Sequence, residues 1–490
     1  MSSLRQETYL QKCRGMNTVQ RILKNTGVLL VSNLTQKIFS ILFILAMARY
    51  LGTSLFGVFT FAVGFTELFV IFTDFGLNTL TVREVARNRS LAQKYLGNFL
   101  LLEVLFVFFF WVLIVSVINV LNYPKQTMIL VYLLAIHIIF RAFSNLFYSL
   151  FRAFEKMEYQ SFAGILSNGL MLTGVLFAVQ MKRGLTTFAL VYVIVSALDL
   201  LFALGICVWK FIKPRLEFDK RFWKTAMIQA WPLGTISVFF IIYFRIDTVM
   251  LSLMKSDADV GIYGAAFRLS EPLAIIPIMF QSSLFPVLSN FFKKSPDSFA
   301  KAYAKSSQYL LSLGLGAALL TSLFADPLVR LVYGEEFSQS TGALRILVWA
   351  SALMYVSIIQ GATYVAADRP ITRMKIFAGA VGVNIALNLV MIPKLSFTGA
   401  SIATVMTEAF SVILGSFLLA RFGYRLDFFK VWIVPLMGLA ASSCLVLGFV
   451  RLEWPLLVAS SIAFVVYVCV VLLLGIKQED KELFKFALSR

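Results

Sequence analysis

Five cationic side chains stand inside long apolar runs of this sequence: Lys37, Arg141, Arg245, Arg268 and Arg345. Ammonium and guanidinium groups pair with phosphate oxygens, Arg as a bidentate fork and Lys as a compact charge. A cation near a bilayer centre costs about 2.5–3.5 kcal/mol on insertion scales, so it faces a bundle interior or a wet cavity. Two of the five sit in polar helix faces. Asn33, Gln36, Lys37 and Ser40 share one side of a helix by the i, i+3, i+4 rule. His137, Arg141, Ser144, Asn145, Tyr148 and Arg152 form a longer stripe. These faces suit an anionic, phosphate-bearing ligand. The alternative, ion pairs that merely hold the bundle together, stays open. Lys37, Asn33, Arg141, Asn145, Arg245 and Arg268 are the candidate ligand-binding residues.

Intramembrane carboxylates offer a second chemistry. A proton or Na⁺ relieves the desolvation of a buried carboxylate and couples its binding to conformation. Asp247 and Glu271 are the first candidates for such ion coupling, with Glu67 beside them; a structural ion pair is the competing role. No other cofactor is expected. A single histidine, His137, excludes a multi-histidine metal site, and Cys13, Cys207, Cys444 and Cys469 lack metal or redox spacing. Asp257-Ala258-Asp259 has the Asp-x-Asp form of metal-dependent glycosyltransferases, but it opens an apolar helix, where Asp is a frequent cap. Capping is the expected role.

The elements that must position these side chains follow from hydropathy. Of 490 residues, 59% are apolar and 14% charged, against about 25% charged in soluble domains. A bilayer-spanning helix needs about 20 mostly apolar residues. Fourteen segments qualify: 26–48, 54–77, 96–121, 127–151, 160–181, 186–209, 226–253, 260–290, 303–325, 343–366, 375–392, 397–420, 430–450 and 454–476. The runs are continuous rather than alternating, which argues against strands. The expected class is an all-α polytopic membrane protein.

The net charge of +19 then finds its place. Connections on one side carry 8 cations, while the tails and the connections on the other side carry 31, Arg369, Arg373 and Lys375 among them. Under the positive-inside rule both termini are cytoplasmic. The excess faces anionic lipid rather than nucleic acid.

An internal repeat organises the helices. Gly57-Val58-Phe59 with Thr66-Glu67 is answered at offset 204 by Gly261-Ile262-Tyr263 with Ser270-Glu271. Ala153, Glu155 and Lys156 are answered at offset 213 by Ala366, Asp368 and Arg369. Two parallel-repeat six-helix lobes around a central cavity follow, with two further helices at the C-terminus. The expected organisation is a basic N-tail (1–25), an N-lobe (26–209), a cytoplasmic linker (210–225), a C-lobe (226–420), the last two helices (421–476) and a C-tail (477–490).

Several motifs resemble the polysaccharide flippases of the multidrug/oligosaccharidyl-lipid/polysaccharide exporter superfamily. They are Tyr50-Leu51-Gly52, Phe56-Gly57-Val58-Phe59, Asp74-Phe75-Gly76-Leu77, Val82-Arg83-Glu84, Arg245-Ile246-Asp247-Thr248 and Gly261-Ile262-Tyr263-Gly264 through Glu271-Pro272. The resemblance implies a multi-pass protein of the cell membrane, not an enzyme, that moves a polyprenyl-diphosphate-linked oligosaccharide to the outer leaflet. The cationic faces then meet the diphosphate. Implied partners are the lipid-linked glycan, membrane lipids and the polysaccharide assembly machinery; a monomer is expected. Within the same fold the alternative is a drug or metabolite antiporter, which wants acidic, aromatic-lined pockets. A membrane glycan polymerase or glycosyltransferase is the alternative from another class, and the short outer loops argue against it.

Overall fold

The computed structural model describes residues 18–427, 429–451 and 455–475. Most of the expected tails, and Cys13, lie outside them; residues 18–25 already belong to the first helix. The described residues are helical, with no strand among them. The elements are α1 (18–51), α2 (53–68), α3 (Leu77–Arg87), α4 (Ala92–Val120), α5 (Lys125–Ala153), α6 (Met157–Gln180), α7 (Leu185–Ile206), α8 (Lys220–Met254), α9 (Asp257–Ser270), α10 (Ile275–Lys294), α11 (Pro296–Leu323), α12 (Ala325–Tyr333), α13 (Ser340–Ala366), α14 (370–395), α15 (397–421), α16 (Val434–Arg451) and α17 (Leu456–Gly475).

Among the described residues the predicted segments fall largely on helix, but they do not resolve into fourteen separate uninterrupted crossings. Eight helical stretches among the described residues are long and apolar enough to cross a membrane, or nine if α11 and α12, bent by 66°, count as one. One reason is that neighbouring segments run together: α1 and α2 form one stretch broken at Gly52, and α14 and α15 one broken at Ser396. The apolar side chains left outside the packing form the surface that lipid would cover: Phe108 is 67% exposed, Leu201 64% and Leu473 80%.

Other predicted spans are interrupted, for local reasons. Segment 54–77 stops at Leu68 and passes through a 3₁₀ turn (Val70–Thr73) into α3. Asp74 ends it: its carboxylate accepts from the backbone N–H of Asn78 (2.8 Å) and of Gly76 (3.3 Å), while Phe75 and Gly76 take positive φ. Segment 260–290 breaks at a 3₁₀ turn (Glu271–Ala274) carrying Pro272, which lacks the N–H a continuous helix needs.

The chain divides into two compact units. The first comprises the chain up to Leu51 together with Phe65–Val238; the second comprises Gly52–Gly64 and the chain from Phe239 onward. The first unit packs α4, α5 and α7 around Phe99, Leu150, Phe151 and Cys207. Residues 212–219 leave helical conformation and lie along the start of α4. Asn98 accepts from the Asp219 backbone N–H (2.9 Å) and the Trp223 indole (3.1 Å), and Lys94 pairs with Asp219 at 3.1 Å. Hydrogen bonds from the backbone N–H of Phe222, and then Lys94, hold the Asp219 carboxyl below its ordinary value.

In the second unit the 204-residue echo becomes a contact. A Cβ at Gly57 would overlap the carbonyl of Asp257, and one at Gly261 the carbonyl of Thr53, so only glycine lets α2 and α9 cross this closely. Gly52, at φ 71°, sets the turn into α2, and Glu336 accepts from the freed Thr53 backbone N–H at 2.8 Å. The 213-residue echo is a shared turn. Glu155 and Asp368 both take left-handed φ, and the residue after each donates back five positions, Lys156 to Phe151 and Arg369 to Tyr364, both at 2.8 Å. The Asp-x-Asp motif proves to be a cap: Ser256 is the N-cap and Asp259 completes a capping box.

Candidate functional site

Four helices of the first unit, α1, α5, α6 and α7, enclose a half-open cavity of about 350 Å³. Each contributes polar residues at helical spacing: Asn33 and Gln36 from α1, His137, Arg141, Asn145 and Tyr148 from α5, Gln160, Ser161, Ser167 and Asn168 from α6, and Tyr192, Ser196 and Asp199 from α7. Gly164 keeps the wall thin, since a Cβ there would collide with the Gln36 amide. Several of these groups are held by one another. Tyr148 and Ser167 both donate to Asp199 Oδ1, at 2.7 and 3.0 Å, and the Gln36 amide donates to Ser32 at 2.8 Å. His137 Nδ1 lies 3.1 Å from the Tyr192 carbonyl.

The sequence-derived candidates divide between the two units. Asn33, Arg141 and Asn145 come together on this cavity, and none has a protein hydrogen-bond or ion-pair partner among the described residues. Lys37 is half-buried on α1 but does not line the cavity. Glu67 is half-buried at the end of α2. Arg245, Asp247, Arg268 and Glu271 belong to the second unit. There the Arg268 guanidinium lies 6.0 Å from the Phe56 ring centroid, and Glu271 starts the 3₁₀ break after α9.

Asp247 is the centre of a buried polar cluster. It accepts from Tyr263 (2.9 Å) and Thr404 (2.8 Å) at Oδ2, and from the Asn388 amide (2.6 Å) at Oδ1. The same amide donates to Asn384 at 3.0 Å. The cluster thus joins α8, α9, α14 and α15, and Asp247 is only 4% exposed. It makes no ion pair among the described residues, so its charge is met by hydrogen bonds alone. Asn388 Oδ1 is buried with no donor. The Asn388 NH₂ points at both Asp247 and Asn384, so only with that amide turned over would oxygens of Asp247, Asn384, Asn388 and Thr404 make the hard, all-oxygen donor set that suits Na⁺; the carboxylate alone suits a proton.

Some polar residues escaped the sequence reading. Asp199 was one more acid in an apolar segment; the cavity gives it a place. Arg373, counted among cytoplasmic loop cations, is in fact buried in α14, where it donates to Ser357 at 2.9 Å and stacks 4.1 Å from the Phe377 ring centroid. Glu408, already visible in the sequence as an acid inside segment 397–420, is buried in the second unit, with Oε2 unpartnered. Among the described residues no group of three metal-ligating side chains assembles.

Comparison with known proteins fits this architecture. The family described as "Polysaccharide biosynthesis protein" matches residues 22–292, more than half of the chain. The chain belongs to this family. The family described as MatE also matches, over residues 232–390, and the chain is a member of the multidrug/oligosaccharidyl-lipid/polysaccharide superfamily. Among its relatives is the probable low-salt glycan biosynthesis flippase Agl15 of Haloferax volcanii, 22% identical over 380 residues that cover 76% of this chain and 78% of that one. The probable flippase AglR of the same organism is 29% identical over 190 residues, 36% of this chain and 37% of its own. Among solved structures, the lipid II flippase MurJ in an inward closed conformation superposes with a TM-score of 0.74 at 15% identity, covering 91% of this chain and 98% of that one. An inward-facing multidrug resistance MATE transporter superposes with a TM-score of 0.66 at 15% identity, covering 79% and 94%. These likenesses establish a shared fold, that of a polytopic all-α membrane protein.

Proposed function

We propose that the protein flips a polyprenyl-diphosphate-linked oligosaccharide from the cytoplasmic to the outer leaflet by alternating access. The observation that carries this reading is the polar cavity inside a unit whose outside is apolar, with Asn33, Arg141 and Asn145 presenting unpartnered groups to it. A glycan cannot cross hydrocarbon with its hydroxyls unsatisfied, because each orphaned polar group costs several kcal/mol. A protein-borne polar cavity removes that cost while the polyprenyl tail stays in lipid. The naming of two relatives as flippases supports the same reading. Positive charge for the substrate comes, in this proposal, from Lys37 in the first unit and, separately, from Arg245 and Arg268 in the second.

Transport is coupled, in this proposal, to Na⁺ or H⁺ at Asp247, with Glu271 and Glu67 as further acids. The buried donorless Asn388 oxygen and the absence of a cationic partner for Asp247 among the described residues support a cation there. A bound cation neutralises the carboxylate and so favours whichever conformation holds the cluster intact. The protein works in the cell membrane as a monomer with both termini cytoplasmic, and takes its substrate from glycan assembly enzymes.

The test is reconstitution. Liposomes containing the protein and lipid-linked glycan extracted from the source cells should expose the glycan to an external lectin faster than protein-free liposomes. Equal rates would refute the flippase. The MatE match favours a second reading, a cationic-drug antiporter. Protein-dependent drug uptake without glycan flipping would establish it.

A further inference from the structure

The geometry points to a division of labour within the substrate: the cavity between α1, α5, α6 and α7 takes one sugar unit of the glycan and leaves the diphosphate outside. This inference rests on the flippase reading and names which part of that substrate the cavity receives.

Charge is the first argument. The lining has one guanidinium, Arg141, and one carboxylate, Asp199, so with His137 neutral its formal charges cancel. A diphosphate in this space would gain one cation and meet one like charge, and like-charge contacts are costly. The other candidate substrate-binding cations, Lys37, Arg245 and Arg268, do not line it.

Hydrogen-bond type is the second. An anion needs donors only. The cavity instead offers donors and acceptors together. Asp199 spends Oδ1 on Tyr148 and Ser167, and its Oδ2 has no protein donor among the described residues. The Gln160 Oε1 and the Ser161 hydroxyl are buried without a partner, Ser161 being 4% exposed. The unpartnered amide of Asn145 carries both a carbonyl and an NH₂ group. A sugar hydroxyl both donates and accepts, so vicinal hydroxyls satisfy such a set where a phosphate oxygen cannot.

Size and surface agree. At about 30 Å³ per water in liquid volume, the cavity has room for on the order of ten water molecules, a space that a hexose with some residual solvent fills. Phe43 and Tyr192, with ring centroids 6.2 Å apart, line it as well and offer apolar surface to sugar C–H groups.

The test uses the purified full-length protein, titrated with a panel of free hexoses, N-acetylhexosamines and hexuronic acids, and separately with inorganic diphosphate. At least one sugar should bind in the millimolar range, and inorganic diphosphate should not displace it. Asn145→Ala should weaken that sugar about tenfold, the effect of one lost hydrogen bond. Asn33→Ala should act in the same direction. Neither amide has a protein partner, so both variants should keep the wild-type Tm, which separates lost binding from lost folding. No sugar binding, binding indifferent to both variants, or displacement by diphosphate would each overturn the proposal. Flipping of the extracted lipid-linked glycan by wild type is scored in parallel. If flipping persists while the sugar results fail, the sugar subsite falls alone; if wild type flips nothing, the flippase reading falls.

Discussion

Asp247→Asn removes one negative charge from the second unit and almost nothing else. The wild-type carboxylate holds three donors, from Tyr263, Thr404 and Asn388, at 2.6–2.9 Å. An asparagine keeps two of them on its single oxygen, which has two lone pairs. The third donor, the Asn388 amide, can turn over so that its buried, unpartnered Oδ1 accepts from the new NH₂ group, provided the Asn384 amide, which accepts from it at 3.0 Å in the wild type, turns over with it. Hydrogen bonds to a charged group are worth about 1.5–3 kcal/mol against about 0.5–1.5 for neutral ones, but the desolvation cost of the charge disappears as well. The fold should therefore survive with little change in Tm. Cation binding should not. A unit charge about 4 Å away at an effective dielectric near 20 is worth about 4 kcal/mol, or roughly a thousandfold in Kd. The assay is thermal unfolding in detergent across a NaCl series, with choline chloride as the ionic-strength control, repeated across pH. Wild type should gain stability with Na⁺ or show a pH-dependent flipping rate, and Asp247→Asn should show neither. A variant that keeps the wild-type ion response refutes coupling at Asp247. So does a wild type whose flipping ignores both Na⁺ and pH.

Further expectations follow from the packing. Gly57→Ala and Gly261→Ala each force α2 and α9 apart and should each cost about 1–3 kcal/mol as overpacking; because both open the same crossing, the double variant should cost less than the sum, read as Tm in a double-mutant cycle. Asp219 has a folded pKa below its unfolded value of about 3.9, so its contribution is present above that value and lost as pH falls through the folded one. The Asp219→Asn variant should accordingly unfold at lower temperature than wild type at pH 7, with the gap closing as pH falls through the folded value. Lys37→Ala should abolish glycan export in cells while the protein remains in the membrane fraction; unchanged export would remove Lys37 from the substrate path.

Much of the fold was legible because bilayer helices are announced by local composition. The breaks at Asp74 and Pro272 were carried by quoted motifs, yet the segments containing them read as single spans, since a hydropathy window averages over one turn of 3₁₀ helix. The 204-residue echo acquires a physical meaning only in three dimensions: Gly57 and Gly261 echo each other and also touch. The site was half legible. Asn33, Arg141 and Asn145 stood out as polar groups on apolar helices and do converge. Asp199, Gln160 and Ser161 complete the same cavity, but which face of α6 and α7 turns toward α5 is set by packing and leaves no mark in a single sequence. Asp247 was singled out as a buried charge. Its partners Asn388 and Thr404 lie 141 and 157 residues away, and no local pattern ties them to it.

The most direct measurement of the central claim is the flipping rate of the extracted lipid-linked glycan in proteoliposomes, compared for wild type, Asn145→Ala and Asp247→Asn at matched protein density. The account predicts rapid lectin accessibility for wild type and a severalfold slower rate for Asn145→Ala. For Asp247→Asn it predicts a rate that no longer responds to an imposed Na⁺ or H⁺ gradient. Wild-type liposomes that expose no more glycan than empty ones would contradict it.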